Sequence, residues 1–377
     1  MSLAILPVTS RAERGAFVDL LWEVYRDDPY WVPPLKDEEL GLIDPKKNPW
    51  FEHARAQLWL AVRDGRTVGR VSAQVDELVL AEMGAGTGQM GMFEALDEEA
   101  AAALIAVAEG WLREQGMTRV LGPISLSIWD QPGLLIEGFE EAPTAMMGHH
   151  RPAYRGWIEA AGYSKAKDLV TYELDIRVEM IPMIRRLIDA GERNPRIVVR
   201  SLDKSRFDEE AATILNLLND AWSDNWGFVP LTPAEIAHAG KKLKPIIYSD
   251  LVAIAEVDGV PAAFMLTIPD INELIRDLDG RLFPFGWAKL LWRLRKPRVK
   301  RVRVPLMGVS KSLQGSRMAG QLAFMMIERI RRNAVANYGA THGEFGWVLE
   351  DNQGMISIAQ LPGAGANKVY RVFEKAL

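Results

Sequence analysis

A chain that repeats itself at long range folds as copies of one unit, and three segments of this sequence recur in the same order. Tyr25-Arg-Asp27-Asp28-Pro-Tyr30-Trp31-Val32-Pro33 and Trp222-Ser-Asp224-Asn225-Trp226-Gly227-Phe228-Val229-Pro230 hold aromatic, Asp, aromatic, Val and Pro in one register, 197 positions apart (25 to 222). Leu60-Ala-Val-Arg-Asp64-Gly65-Arg-Thr-Val matches Ile254-Ala-Glu-Val-Asp258-Gly259-Val-Pro-Ala at an offset of 194 (60 to 254). Asp130-Gln-Pro-Gly133-Leu matches Asp351-Asn-Gln-Gly354-Met at 221 (130 to 351). The offset grows by 221 − 194 = 27, which predicts an insertion of about that length in the second copy, between Pro269 and Lys300.

Each half then reads as strand, helix, hairpin, strand, helix, strand, helix, strand. Both Asp-Gly pairs stand between apolar runs, the pattern of a tight hairpin whose turn needs positive φ. Helices are expected near 11–25, 97–115 and 152–161, with Asp97 as N-cap and Gly116 as C-cap, and near 206–221, 318–337 and 352–361, with Gly339 closing the long one. Strands alternating with helices after a leading hairpin give an α/β fold with a mixed sheet. The expected domains are 1–177 and 178–377, the second carrying a basic amphipathic insertion at 270–300.

Composition narrows the chemistry. The 377 residues suffice for two domains with their own cores. A net charge of −5 gives no general attraction for nucleic acid, so no nucleic-acid partner is expected. There are no cysteines, which excludes disulfides, thiolate metal sites and a Cys nucleophile, and no metal is expected. The start lacks the basic region of a signal peptide, and no run of about 18 apolar residues spans a bilayer, so a cytoplasmic protein is expected.

Val304-Pro-Leu-Met-Gly308-Val309-Ser-Lys-Ser-Leu-Gln314-Gly315-Ser316-Arg317-Met318-Ala319 resembles the acyl-CoA loop of the GNAT acyltransferase superfamily. That family has a strand, a loop of pattern Gln/Arg-x-x-Gly-x-Gly/Ala, and a long helix. Gln314, Gly315 and Ala319 match it, while Arg317 replaces the central Gly. The resemblance implies two fused GNAT-like domains, acyl-CoA as co-substrate, and a donor site made by Gly308, Val309, Gln314, Gly315, Ser316, Arg317, Met318, Ala319 and Asn352. A loop entering a helix presents free N–H groups and the positive end of the helix dipole, which suits a pyrophosphate. Arg317 adds a charge-assisted contact or blocks the loop, and an ordinary loop at a helix start is the plainer alternative. The first half has no such loop, since Gly91-Met-Phe-Glu-Ala-Leu-Asp97 runs straight into its helix.

In many GNAT enzymes a Tyr seven places after the helix-opening Asn protonates the leaving thiolate. Here that place is Ala359, and Tyr370 is the substitute candidate. A narrower resemblance, to bacterial N-acyltransferases of the ceramide synthase type, rests on Asn225-Trp-Gly-Phe-Val-Pro230, Leu349-Glu-Asp-Asn352 and Tyr370-Arg371.

Acylating an amine requires that amine deprotonated and the thioester carbonyl polarised. A strand N–H near Gly308 or Val309 can polarise it. Glu350, Glu344 and His342 flank one strand, and Glu350 is the first candidate base, with helix capping as its alternative. His149 is a further catalytic candidate; in His149-His150-Arg151-Pro152 the alternative is a plain loop before a helix. Asn225, Trp226 and Phe228 either line a substrate tunnel or anchor a loop. From Arg281 to Arg303 nine basic residues interleave with Phe283, Phe285, Trp287 and Trp292, with no acidic residue. That segment is either an interfacial helix in peripheral contact with the inner membrane or a helix packed on the domain with a solvated basic edge. The leading expectation is a fatty N-acyltransferase acting on a lipid-like amine such as a sphingoid long-chain base. The rivals are an N-acetyltransferase of small amines and an inactive protein that binds CoA or lipid.

Overall fold

The computed structural model describes residues 2–377. The first half runs β1 (Leu3–Pro7), α1 (Arg11–Val24), α2 (Lys36–Leu42), β2 (Ala54–Arg63), β3 (Arg66–Asp76), α3 (Glu77–Met83), β4 (Thr87–Ala95) and α4 (Glu98–Glu114). It continues with β5 (Arg119–Gly122), β6 (Ile124–Ser125), β7 (Gln131–Pro132), β8 (Leu134–Glu137), α5 (Ala153–Ala160) and β9 (Ser164–Asp175). The second half runs α6 (Pro182–Glu192), β10 (Ile197–Ser201), α7 (Phe207–Trp222), α8 (Pro233–Leu243), β11 (Val252–Val257), β12 (Val260–Pro269), α9 (Ile271–Ile275) and α10 (Gly286–Arg295). It ends with β13 (Arg301–Val309), α11 (Arg317–Asn333), β14 (His342–Leu349), α12 (Gln353–Gln360) and β15 (Gly365–Ala376).

The six helices read from the sequence form, and Asp97 caps α4 by accepting the Ala100 N–H. Asp64 and Gly65 at φ 52° and 77°, and Asp258 and Gly259 at 53° and 77°, make the two hairpin turns. The third matched segment is corrected. Asp130 lies between β6 and β7, whereas Asp351 precedes α12, so the two are not equivalent. The helices give the true offsets: α4 to α11 is 317 − 98 = 219, and α5 to α12 is 353 − 153 = 200. The second half therefore holds 219 − 194 = 25 extra residues before its long helix, and the first half holds 219 − 200 = 19 after its own.

Duplication is also legible in which side chains meet. Leu58 and Leu60 of β2 pack with Phe17 and Val18 of α1, while Trp59 and Ala61 pack with Leu104 and Ile105 of α4 on the opposite face. Their counterparts 194 positions on, Val252 and Ile254, pack with Leu217 and Leu218 of α7, and Ala253 and Ala255 join α11. Each large apolar side chain buried this way contributes about 1.5–3 kcal/mol.

One thirteen-stranded sheet joins the halves, in the order β1-β2-β3-β4-β5-β15-β9-β14-β13-β12-β11-β10, with β8 pairing β15. The last strand of each half thus lies in the other half's sheet. β9 pairs with β14, β15 pairs with β5 and β8, and the two exchanged strands pair antiparallel at the centre. Leu169 faces its counterpart Tyr370 there, which places a local two-fold axis perpendicular to the sheet.

Candidate active site

In each half two parallel strands start paired and then part. β4 and β5 pair only over Thr87–Gln89, and β13 and β14 only over Arg301–Val304. A bulge lies just before the parting: Leu266 faces Leu306 but Ile268 faces Arg303, leaving one extra residue on β13 near Val304 and Pro305. The same irregularity on β4 spans Gly91 to Glu94.

The two wedges differ in what fills them. In the first half the chain itself does: the position of a Cβ on Gly91 lies 1.9 Å from the Ile124 carbonyl oxygen, and Ser125 Oγ accepts the Met92 N–H at 3.2 Å. The helix beyond it, α4, opens with Asp97, Glu98 and Glu99, which repel a phosphate. In the second half the wedge is an open cleft of about 60 Å³ lined by Pro305, Met307, Trp347, Leu349, Asn352 and Met355.

Beyond the end of β13 the loop 310–316 leads into α11, and of the expected donor-site residues only Asn352 lines the cleft itself. Gln314 Nε2 donates to the carbonyls of Val309 (3.0 Å) and Ala221 (3.1 Å), tying the loop down. Gly315 takes φ +72° with no atom within 4 Å of a Cβ position, so the corner is open and needs Gly for its left-handed turn. Ser316 caps α11 through the Ala319 N–H, which leaves the N–H groups of Gly315, Arg317 and Met318 without an acceptor among the described residues. Arg317 is exposed at the first helical position, with no acidic side chain in that turn. It does not block the corner. Below, Ser310 N–H donates to the Ala262 carbonyl, so by alternation Gly308 N–H also faces β12, and those of Met307 and Val309 point away from it. Gly308 serves packing instead, since a Cβ there would meet Ala221 at 2.9 Å.

On the face carrying α1 and α7, a cavity of about 380 Å³ opens between the halves. Its walls come from α1, α2, α8, α9 and the loop 143–150, and Trp129 lines both it and the cleft. Trp129 stacks on Trp222 at 6.1 Å and donates to the Val229 carbonyl. The cavity also holds titratable groups. Burial pushes the Glu94 carboxyl up to about 7. The Tyr25 hydroxyl lies 2.8 Å from both Glu94 Oε2 and the His149 carbonyl, and its single proton cannot serve both, which fits a Glu94 that carries one. Asp130, directly after Trp129, is half-buried, is bonded to Ser127 Oγ at 2.8 Å, and is pushed up to about 6 by burial.

No protein-family model matches the chain. It is 44% identical over 378 residues to the bacterial ceramide synthase of Caulobacter vibrioides, covering 100% of this chain and 98% of that one. The chain belongs to the bacterial ceramide synthase family. Protein YghO of Escherichia coli is 41% identical over 96% of this chain and 92% of its own. Among solved structures, a tandem GNAT protein from the clavulanic acid biosynthesis pathway superposes with a TM-score of 0.58 at 14% identity, over 100% and 98% of the two chains. A GCN5-related N-acetyltransferase from Sphaerobacter thermophilus gives 0.54 at 13% identity, over 99% and 95%. The fold is thus the tandem GNAT fold, and the chemistry of the ceramide synthase family is acyl transfer.

In this ceramide synthase family member the cleft gathers Asn225, Trp226, Phe228 and Asn352, with Asn352 also capping α12 through the Met355 N–H. Glu350 lies outside both cavities. Its carboxylate is held by Lys165 Nζ (2.5 Å) and the Asp168 N–H (3.1 Å), so it pins β9 to the end of β14. Tyr370 is 1% exposed and donates to the Gly148 carbonyl at 3.0 Å, and burial holds its hydroxyl well above the ordinary tyrosine range. His149 does line the cavity, with Nε2 2.8 Å from Asp28 Oδ2. Burial pushes Asp28 up, yet the His149 contact and the Tyr30 N–H outweigh it and lower the carboxyl. Its neighbour His150 accepts the Leu135 N–H and is pushed down to about 3 by burial. Asp130, Glu94 and Tyr25 were not among the residues singled out from sequence for chemistry. Asp28 and Asp130 stood inside the matched segments, but nothing in a repeat separates a catalytic carboxylate from a turn residue.

Proposed function

We propose that this chain is an acyl-CoA-dependent N-acyltransferase that transfers a fatty acyl group to the amine of a lipid-like acceptor such as a long-chain base. The observation that carries this reading is the second half's wedge, left open where Ile124 and Ser125 fill the first half's, with Trp129 lining both its cleft and the larger cavity between the halves. The loop 314–319 and Arg317 hold the pyrophosphate, and the pantetheine arm lies between β13 and β14. The relative from Caulobacter vibrioides is named a ceramide synthase, which favours a long-chain amine over a small polar one.

In the reaction the neutral amine attacks the thioester carbonyl. One N–H on that strand edge, of Met307 or of Val309, receives the developing oxyanion, a C–N bond forms and the C–S bond breaks. Asp130 takes the proton released by the ammonium and returns it to the leaving thiolate. A base held near 6 is active when deprotonated, so turnover rises with pH through about 6 and is lost below. Asp130→Asn is expected to lower kcat by roughly 10²–10⁴-fold and to flatten that limb, while CoA affinity is unchanged. A variant with the wild-type profile sinks the assignment to Asp130.

On the same reading the protein works in the cytoplasm. No helix among the described residues is long and apolar enough to cross a membrane. Free-CoA release with acetyl-CoA and palmitoyl-CoA across a panel of amines tests the whole reading. Release with the long-chain donor and lipid amines is expected; release with none, by a protein whose melting CoA does not shift, overturns it.

A further inference from the structure

Helix α10 is apolar on two sides. Leu290 and Leu294 turn inward onto the clusters beneath it, which uses one face in the ordinary way. The outward side carries Trp287, Leu291 and Trp292 at 50%, 54% and 74% exposure, and just before the helix stand Phe283 and Phe285 at 85% and 78%. Isolated exposed apolar residues need no explanation, but five large ones within ten positions form a patch that water solvates poorly.

The charges carried by 281–303 itself are of one sign. Asp277 neutralises Lys289 and Arg293 through ion pairs. Arg281, Arg295, Lys296, Arg298 and Lys300 are exposed with no carboxylate between 281 and 303. The platform is also anchored. Trp22 Nε1 donates to Asp279 at 2.6 Å, Lys36 N–H to the Gly280 carbonyl at 3.0 Å, and a Cβ on Gly280 would meet Trp22 at 2.4 Å. A fixed aromatic face rimmed by free cations complements a surface that is apolar within and anionic at its rim, which describes the headgroup layer of an acidic bilayer.

We propose that 283–292 docks this protein on an anionic membrane, with Phe283, Phe285, Trp287 and Trp292 entering the headgroup layer and the lipid amine passing along the segment into the cavity between the halves. The passage rests on the acyltransferase reading; the docking does not. Val32 and Ile275 line the cavity, and the same two side chains pack with Leu282 and Leu290 on the inner side of the insertion. One layer of side chains therefore separates the aromatic face from the cavity wall.

Flotation of the full chain with vesicles tests this, comparing mixed phosphatidylglycerol and phosphatidylcholine with phosphatidylcholine alone. The wild type is expected to float with the anionic vesicles and to be released by salt. Phe283→Ser/Phe285→Ser/Trp292→Ser, all at exposed positions, is expected to bind roughly tenfold or more weakly. Arg295→Glu/Lys296→Glu is expected to lose the preference for anionic lipid. The triple variant should also lose turnover on a vesicle-borne long-chain amine while keeping turnover on a short soluble one. A wild type that floats with neither vesicle overturns the docking surface, as does concentration-dependent self-association that the triple variant abolishes. Flotation without CoA release from any amine overturns the passage and the acyltransferase reading together, and leaves the docking intact.

Discussion

Glu344→Ala is expected to cost about 3–5 kcal/mol of folding stability, a large part of what a protein of this kind possesses. Glu344 is 1% exposed, and its carboxylate accepts from Thr144 Oγ1 at 2.5 Å and Asn367 Nδ2 at 2.9 Å, with Lys368 Nζ at 3.4 Å. Lys368 is itself 1% exposed, and Arg303, 3% exposed, donates to the carbonyls of Ala145 and Gly346 beside it. Removing the carboxylate leaves the buried Lys368 with Glu141 alone, at 3.4 Å, and takes from the buried Arg303 its strongest counter-charge. The cluster joins the loop that carries Thr144 to β13, β14 and β15, so its loss also loosens the cavity wall. Burial raises the Glu344 carboxyl, but Lys368, Thr144, Asn367 and Arg303 outweigh it, and the net shift is downward. A lowered carboxylate stabilises fully above its unfolded value and ceases to do so as pH falls through the folded one. The gap between the wild type and Glu344→Gln should therefore be full at neutral pH and close in acid. Denaturant midpoints across pH measure it, and a pH-independent gap under about 1 kcal/mol would show that the cluster is not coupled to folding.

Arg317→Glu is expected to separate stability from donor binding. An acidic residue in the first turn of α11 favours the helix dipole by about 0.3–1 kcal/mol, and the exposed side chain touches no core, so melting should hold or rise. The same change replaces a charge-assisted contact to phosphate with repulsion, and CoA should bind roughly 10- to 100-fold more weakly. Calorimetric titration with CoA beside a thermal melt reads both. Equal CoA affinity in the two proteins would mean that the helix start is not the phosphate cradle.

Much of the architecture was local and therefore readable. Asp64-Gly65 and Asp258-Gly259 announce turns that need positive φ, and Asp97 announces a helix start, because each acts on atoms within a few residues. The capping box of Thr232 and Glu235 at the start of α8 was equally local, though it had not been read. The third repeat match misled because a short Asp-x-x-Gly pattern serves a β-turn at Asp130 and a helix start at Asp351 equally well. In the site, the loop 310–316 was legible from its order of strand, glycine turn and helix. Glu350 and Tyr370 share one reason: a polar side chain looks available until its partners, here Lys165 and Gly148, are known.

The sequence by itself determined two copies of one α/β unit, where most helices and turns lie, and which half carries a glycine turn ahead of its long helix. These follow from periodicity, capping and backbone chemistry over neighbouring residues. Only the tertiary structure decided that β9 and β15 change places, that Ile124 and Ser125 stop the first wedge, and that Asp28 meets His149 across 121 residues. A strand's alternation is the same whichever sheet it joins, and a cavity is the space left by elements far apart in the chain, so neither leaves a mark in the order of residues.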